Sequence, residues 1–174
     1  MGTSSEAQTQ QQVQPGSHEL EAPPWRRVES TIIAAAGDLR ALYDNRFGEI
    51  DLNLNLASLL CYLGDFGPVS QTRAADHLRQ GRAVTGTHID RLESSGLLER
   101  LPDPDDRRVW LVQLTDAGRQ AASEATAIDV VIREELRAGI SREERQALAN
   151  VIVRLQQNIA SAQQGTHEEG DHNA

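Results

Sequence analysis

Residues Gln80 to Arg119 read QGRAVTGTHIDRLESSGLLERLPDPDDRRVWLVQLTDAGR, and their spacing divides the stretch into a helix, a hairpin and the start of a second helix. Val84, His88, Ile89 and Leu92 recur at three- and four-residue intervals while Arg91, Glu93 and Ser94 fill the other face, the pattern of an amphipathic helix. Gly96 stands where a left-handed C-terminal residue is wanted, so the helix is expected to stop near Ser95. Leu97 to Leu101 is a short apolar run, and Pro102-Asp103-Pro104-Asp105-Asp106 is turn chemistry. Arg107 to Leu114 alternates, with Val109 and Leu111 set against Trp110, Val112 and Leu114. Together these make a two-stranded hairpin with a polar tip.

The pattern continues outward on both sides. Upstream, a short helix is expected over Gln71 to Leu78, with Ala74, Ala75 and Leu78 as its apolar face and Ser70 as its N-cap. Ile32, Ala36, Leu39 and Tyr43 step by four, three and four, which gives a first helix from about Arg26 to Phe47, and Asn55 to Leu63 gives a second. Downstream, Thr115 caps a helix through Ala121, Ala125, Ile128, Ile132 and Leu136 to Gly139. Ser141 with Glu144 is a capping box for the last helix, whose Leu148, Ile152, Leu155 and Ile159 repeat at heptad-like spacing. The expected order is ααααββαα, mainly α with a small β-hairpin. The apolar stripes of the first and last two helices exceed what a small head covers alone. Either the three helices pack on each other within one chain, or a partner covers them.

The segments DRLE…GLLER, DPDDRR and LTDAG, in that order after a helix-turn-helix, resemble the core of the MarR family of bacterial winged helix-turn-helix regulators. The likeness runs in order and length from about Trp25 to Ala160, by motif over 68–119 and by helix pattern elsewhere. It departs at the start of the recognition helix, where members of the family commonly carry a Ser/Thr-rich stretch and an apolar residue near Thr85. This chain has Arg82-Ala83-Val84-Thr85-Gly86-Thr87. The resemblance implies a homodimer knit by the first and last two helices, double-stranded DNA as partner, and a repressor that leaves a palindromic operator when a ligand binds. A two-fold dimer presents two recognition helices to two half-sites.

Within the head, Arg82 falls at the recognition-helix N-terminus, where backbone N–H groups favour phosphate and a long side chain reaches a base edge. Thr85 and Thr87 are short hydroxyl donors on the same turns. His88 faces either the groove or the packed side, and periodicity favours the packed side. Gly86 costs on the order of 1 kcal/mol in a helix interior, which suits a close approach to a sugar-phosphate backbone or marks a weak first turn. DPDDRR by itself reads as a solvated turn with ion pairs worth under about 1 kcal/mol. After a recognition helix it reads as a wing. The resemblance implies that Asp105 holds the hairpin and Arg107 enters a narrow minor groove, with Arg108 beside it for phosphate. The family's effectors, often phenolic or other aromatic acids, imply a pocket that here would include Tyr43, Tyr62 and Phe66, with Trp25 and Arg26 at its entrance. Ordinary core or rim roles for these aromatics stand equally open.

Composition bounds the alternatives. The chain has 174 residues and a net charge of −9, yet residues 73–108 hold seven Arg (73, 79, 82, 91, 100, 107, 108) and seven acids (76, 90, 93, 99, 103, 105, 106), so the reading head is neutral and the excess acid lies elsewhere. Lysine is absent from the chain, which reflects genomic base composition more than function. One cysteine, Cys61, excludes a disulfide framework and a thiolate zinc cluster within one chain. It sits on an apolar helix with no cation to lower its pKa, and the first helix carries no cysteine of the kind used by the family's organic-peroxide sensors. No GxGxxG, P-loop, Gly-x-Ser-x-Gly or HExxH is present, and Asp103, Asp105 and Asp106 beside two Arg make a poor acid/base pair. No enzyme, cofactor or metal is expected, His167 and His172 lying in a polar tail. No stretch reaches the roughly 18 apolar residues of a membrane span, so a cytoplasmic protein without a membrane partner is expected. Residues 1–22 and 165–174 are expected as disordered tails, leaving one domain over 23–164, its head about 53–115 and its dimerisation helices about 26–47 and 116–162. The rival function is a winged-helix protein-interaction module, which has no need for Arg82, Arg107 and Arg108 on one face.

Overall fold

The structure, a computed structural model, describes residues 27–106 and 108–170, with the side chains of 165–170 excepted. The expected tail over 1–22, Trp25, Arg26, Arg107 and residues 171–174 lie outside the described residues. Among those described, the order is α1 (Val28–Gly48), α2 (Leu54–Phe66), β1 (Val69–Ser70), α3 (Gln71–Leu78), α4 (Arg82–Ser94), β2 (Leu98–Pro102), β3 (Trp110–Leu114), α5 (Asp116–Arg137) and α6 (Arg142–Gly170). The chain forms two compact units, one ending at Ala121 and the other beginning at Ala122.

The first unit is built around α2, whose Leu56, Ala57, Leu59, Leu60, Tyr62 and Leu63 are all buried. Its N-terminus is capped twice. The Asn53 side chain accepts the Leu56 N–H at 3.0 Å, and Asp44 of α1 accepts the Leu54 N–H at 2.8 Å, so two of the N–H groups left over by the helix are satisfied. Ser70 caps α3 as expected, accepting from the Arg73 N–H at 3.3 Å. The end of α4 is a Schellman motif: Leu97 N–H donates to Leu92 O, Gly96 N–H donates to Glu93 O, and Gly96 has φ +72°, the left-handed conformation that glycine adopts without penalty.

The sheet has three strands in the order β1-β3-β2, all antiparallel. β2 and β3 are the expected hairpin, paired from Leu98↔Leu114 to Pro102↔Trp110. β1 adds a strand absent from the expected order. It is two residues long, paired Val69↔Val112 and Ser70↔Leu111, too short to alternate visibly, and it stitches the hairpin to the start of α3. Val69, Leu98, Val112 and Leu114 are buried, while Trp110 is exposed.

The LTDAG segment locks this sheet to the first turn of α5, within the first unit. Thr115 Oγ1 donates to the Gly96 carbonyl at 2.7 Å and accepts the Gly118 N–H at 3.0 Å, while Thr115 N–H donates to Leu97 O at 3.1 Å. Gly118 lies so close to the Leu97 carbonyl that a Cβ there would overlap its oxygen. The motif is therefore a backbone seat, and its glycine is dictated by space.

In the second unit, Ser141 and Glu144 form the expected capping box. Glu144 accepts the Ser141 N–H at 2.8 Å and Ser141 Oγ accepts the Glu144 N–H at 3.1 Å. These bonds hold the Glu144 carboxyl below its ordinary pKa, the Ser141 N–H first among them. α6 runs on through 165–170, into the stretch expected as a tail. Glu168 and Glu169 are good helix formers, and no proline stops the run.

Candidate nucleic-acid interface

The surface expected to read DNA comprises the first turns of α4 and the tip between β2 and β3. Gly81, the N-cap of α4, offers no side chain to the leading N–H groups, so they are left to solvent or a ligand. The buried face of the helix is Thr85, Ile89 and Leu92. Ile89 and Leu92 lie where the expected stripe placed them, and only its start differs. Val84 is 50% exposed, and Thr85 takes the interior place fully buried. The exchange is possible because Thr85 Oγ1 donates to Gly81 O at 3.2 Å. With its hydroxyl satisfied within the helix, Thr85 buries no unpartnered polar atom. Thr85 is thus withdrawn from the candidate contact set. Arg82, Ala83, Val84, Thr87, Asp90 and Arg91 remain exposed, with Thr87 Oγ1 donating to Ala83 O at 3.2 Å.

Gly86 lies against a neighbour within the fold. A Cβ there would lie 2.9 Å from Gln71 Nε2, and that same amide donates to Arg82 O at 3.0 Å. The first turn of α3 is thereby fastened across the first turn of α4. His88 is half-buried with Nδ1 buried and without a hydrogen-bond partner. Burial, with Arg91 nearby as the smaller cause, pushes its imidazole below the ordinary value.

At the tip, Asp103 Oδ1 accepts the Asp105 N–H at 2.8 Å and the Asp106 N–H at 3.4 Å, an Asx turn. Asp103 N–H donates to Val109 O at 2.9 Å, and Val109 N–H to Asp106 O at 2.8 Å, which closes the loop. Asp106 Oδ1 accepts both the backbone N–H of Arg108 at 3.0 Å and its Nε–H at 3.2 Å. The guanidinium, then the backbone N–H, hold the Asp106 carboxyl below the usual carboxylate range. Arg108 is still 91% exposed. Asp105 is exposed and gives its backbone to the turn. Its expected pairing with Arg107 lies outside the described residues.

Sequence reasoning did not find the tie between the two halves of this surface. Arg100 of β2 is ion-paired with Glu93 of α4, and its Nη2 lies 2.5 Å from Asp90 Oδ1. The available signal was a pair of acids three apart near the end of the recognition helix, followed by an arginine in the next strand.

The aromatic residues expected around a ligand pocket fall into two groups. Tyr62 is buried and stacks on His77 with ring centroids 3.9 Å apart, and exposed Phe66 lies 4.9 Å from Tyr62 and 5.6 Å from His77. Tyr43 instead pairs with Phe47 at 5.7 Å. His77 is the member that spacing did not suggest.

Known proteins resemble this chain in both sequence and fold. Residues 52–110 match the model of the MarR family. The uncharacterized HTH-type transcriptional regulator YdgJ of Bacillus subtilis is 32% identical over 106 residues, 61% of this chain, and the match spans 63% of that relative's length. The crystal structure of a probable transcriptional regulator from Pseudomonas aeruginosa is 31% identical with a TM-score of 0.64, covering 72% of this chain and 93% of that one. Bordetella bronchiseptica BpsR, whose DNA binding is regulated by 6-hydroxynicotinic acid, is 26% identical with a TM-score of 0.68, covering 74% of this chain and 92% of its own. Two of these relatives are described as regulators of transcription, one of them as a probable one, and the third as a protein whose DNA binding is regulated by a small molecule.

Proposed function

The chain belongs to the MarR family, and from that premise we propose that it is a DNA-binding transcriptional regulator that holds a palindromic site as a homodimer. The observation that carries the reading is the paired surface of the head. The N-terminal turns of α4 are exposed from Arg82 to Thr87 apart from inward-turned Thr85 and half-buried Gly86, and Arg100 ties that helix to a wing whose Arg108 points into solvent. A helix N-terminus of this kind enters a major groove while a basic hairpin lies on the backbone beside it. Arg82, Thr87 and Arg108 are the proposed contacts, joined by Arg107 with Asp105 behind it, and the segment 53–115 is the reading head.

The homodimer is supported by apolar side chains at the surface. On α1, Ile33 is 73% exposed; on α6, Leu148 is 60% exposed, on the same stripe as Ile152, Leu155 and Ile159. Such faces are ordinarily covered by a partner, and a second copy supplies the two-fold needed to bind two half-sites. Action as a repressor released by a small aromatic acid is proposed on the likeness to BpsR, with Tyr62, Phe66 and His77 as the stacking surface. No helix among the described residues is long and apolar enough to cross a membrane, and the proposed place of work is the cytoplasm, with the DNA.

The test is selection of duplexes from a random library by the full-length protein, followed by binding titrations at several salt concentrations. A palindrome is expected, with log K falling against log salt by about 0.9 per phosphate neutralised, and with Arg108→Ala weakening all sequences alike and flattening the slope. Selection of no duplex, or binding indifferent to salt, rejects the reading.

A further inference from the structure

The exposed face of α4 carries methyl groups where hydrogen-bonding side chains are ordinarily found. Ala83, Val84 and Thr87 lie on its first two turns and are exposed, Val84 by 50%. Thr87 has turned its hydroxyl proton inward to Ala83 O at 3.2 Å, and Thr85, the other hydroxyl nearby, is buried with its proton on Gly81 O. Between Arg82 and His88 there is no Asn, Gln, Lys, Asp or Glu. The side chains that fork onto guanine or adenine in a major groove are therefore confined to the ends of this patch, at Arg82 and Arg91.

An apolar patch on a base-reading helix has one complement among the base edges. The 5-methyl group of thymine is the apolar feature that the major groove displays, and alanine, the threonine methyl and similar groups recognise it by contact. We propose that Ala83, Val84 and Thr87 read thymine through its 5-methyl group, with Val84 at the centre of the contact, so that each half-site carries thymine opposite the start of α4. The inference rests on the proposed function, since it names what the same helix reads. It also accounts for a half-exposed valine on a helix face where a polar residue would be better solvated.

The test uses the full-length protein and the duplex it selects from a random library. That duplex is resynthesised with deoxyuridine in place of thymidine, one position at a time, which deletes the methyl group and keeps every hydrogen-bonding edge. At one or two positions per half-site, related by the dyad, affinity is expected to fall by about fourfold per methyl, the transfer cost of one buried CH₂. Val84→Ser and Thr87→Ser should bind the thymidine duplex as the parent protein binds the deoxyuridine one, and should be indifferent to the exchange at those positions. Both sites are exposed, and unchanged thermal midpoints would show that the variants fold. A selected duplex bound equally with thymidine or deoxyuridine at every position overturns the inference and leaves the DNA-binding reading standing. So does a deoxyuridine loss that persists undiminished in both variants. Failure to select any duplex overturns both.

Discussion

Arg100, midway along β2, is ion-paired with Glu93 in the last turn of α4, so one side chain ties the proposed recognition helix to the wing. Asp90, one turn earlier, takes the other guanidinium nitrogen. A pair at this half-exposed surface contributes about 1 kcal/mol or less to stability. Its larger effect is expected on geometry. Arg100→Met should lower the unfolding free energy by no more than about that amount and reduce operator affinity by a larger factor. Glu93→Gln discriminates the cause. It removes a negative charge from near DNA, which by simple electrostatics tightens binding, whereas loss of the tie weakens it. Binding isotherms for Glu93→Gln that show tighter binding would reject a positioning role.

The wing turn gives a spectroscopic prediction. Asp106 is held in its ionised form by the Arg108 guanidinium and backbone N–H, so its carboxyl should titrate below an ordinary aspartate in a carbon-detected NMR titration. Arg108→Ala should move it back toward the usual value, the backbone bond sustaining the remainder. Because the folded pKa is the lower one, the contribution is present above the unfolded value and fades as pH falls through the folded one. An unshifted Asp106 in the parent protein would refute the pairing.

His88 sets a pH dependence at a different range. Burial pushes its imidazole below the ordinary value of about 6.5, with Arg91 adding a smaller push. The unfolded chain then binds the proton more readily than the folded one, so stability is present above about 6.5 and is lost as pH falls below it. Urea midpoints measured between neutral and mildly acidic pH should decline, and the decline should be shallower in His88→Gln. Parallel curves for the two proteins would assign the acid loss to other groups.

Two glycines should respond differently to alanine. At Gly118 the added Cβ meets the backbone carbonyl of Leu97, which cannot move without disturbing β2, so a loss of about 1–3 kcal/mol is expected, as for overpacking of a filled core. At Gly86 the added Cβ meets the amide end of Gln71, which can swing away, and alanine also has the better helix propensity. Gly86→Ala should leave the melting temperature nearly unchanged while freeing the Gln71 bond to Arg82. Equal melting losses for the two variants would contradict this ranking.

Assembly is tested by removing residues 141–174. The Leu148 and Ile159 surface goes with them, and the truncated chain is expected to lose both dimerisation and affinity for the selected palindrome. Sedimentation showing an intact dimer, or full-affinity binding by the truncated chain, would place the interface elsewhere.

The helices were legible because their ends are written in capping chemistry. Ser70, Thr115, the Ser141–Glu144 box and Gly96 each act where spacing placed them, since a cap depends on residues within one turn. Readings that depend on packing across elements were not legible. Val84 and Thr85 are both β-branched, and periodicity alone puts the apolar one inside; the packed face shared with Ile89 and Leu92 takes Thr85 instead, with the Gly81 carbonyl satisfying its hydroxyl. The pairing of Val69 with Val112 joins segments far apart in sequence and has no local pattern. The same holds for His77 against Tyr62, whereas Arg100 and Glu93, seven residues apart, left only the faint mark of two acids followed by an arginine. Within the wing, five consecutive turn-forming residues mark the loop but do not say which carboxylate closes it, and Asp103 and Asp106 take that part among the described residues.

The strand register also decides where the chain tolerates a change of length. The hairpin is pinned at its base by Leu98↔Leu114, at its far end by Pro102↔Trp110, and sideways by Val69↔Val112. One residue added within a strand would turn every later side chain to the opposite face. Residues added between Pro102 and Trp110 leave all of these pairs intact. The tip is therefore the segment where insertions and deletions can accumulate over evolutionary time, altering how far the hairpin extends while the rest of the unit keeps its registry.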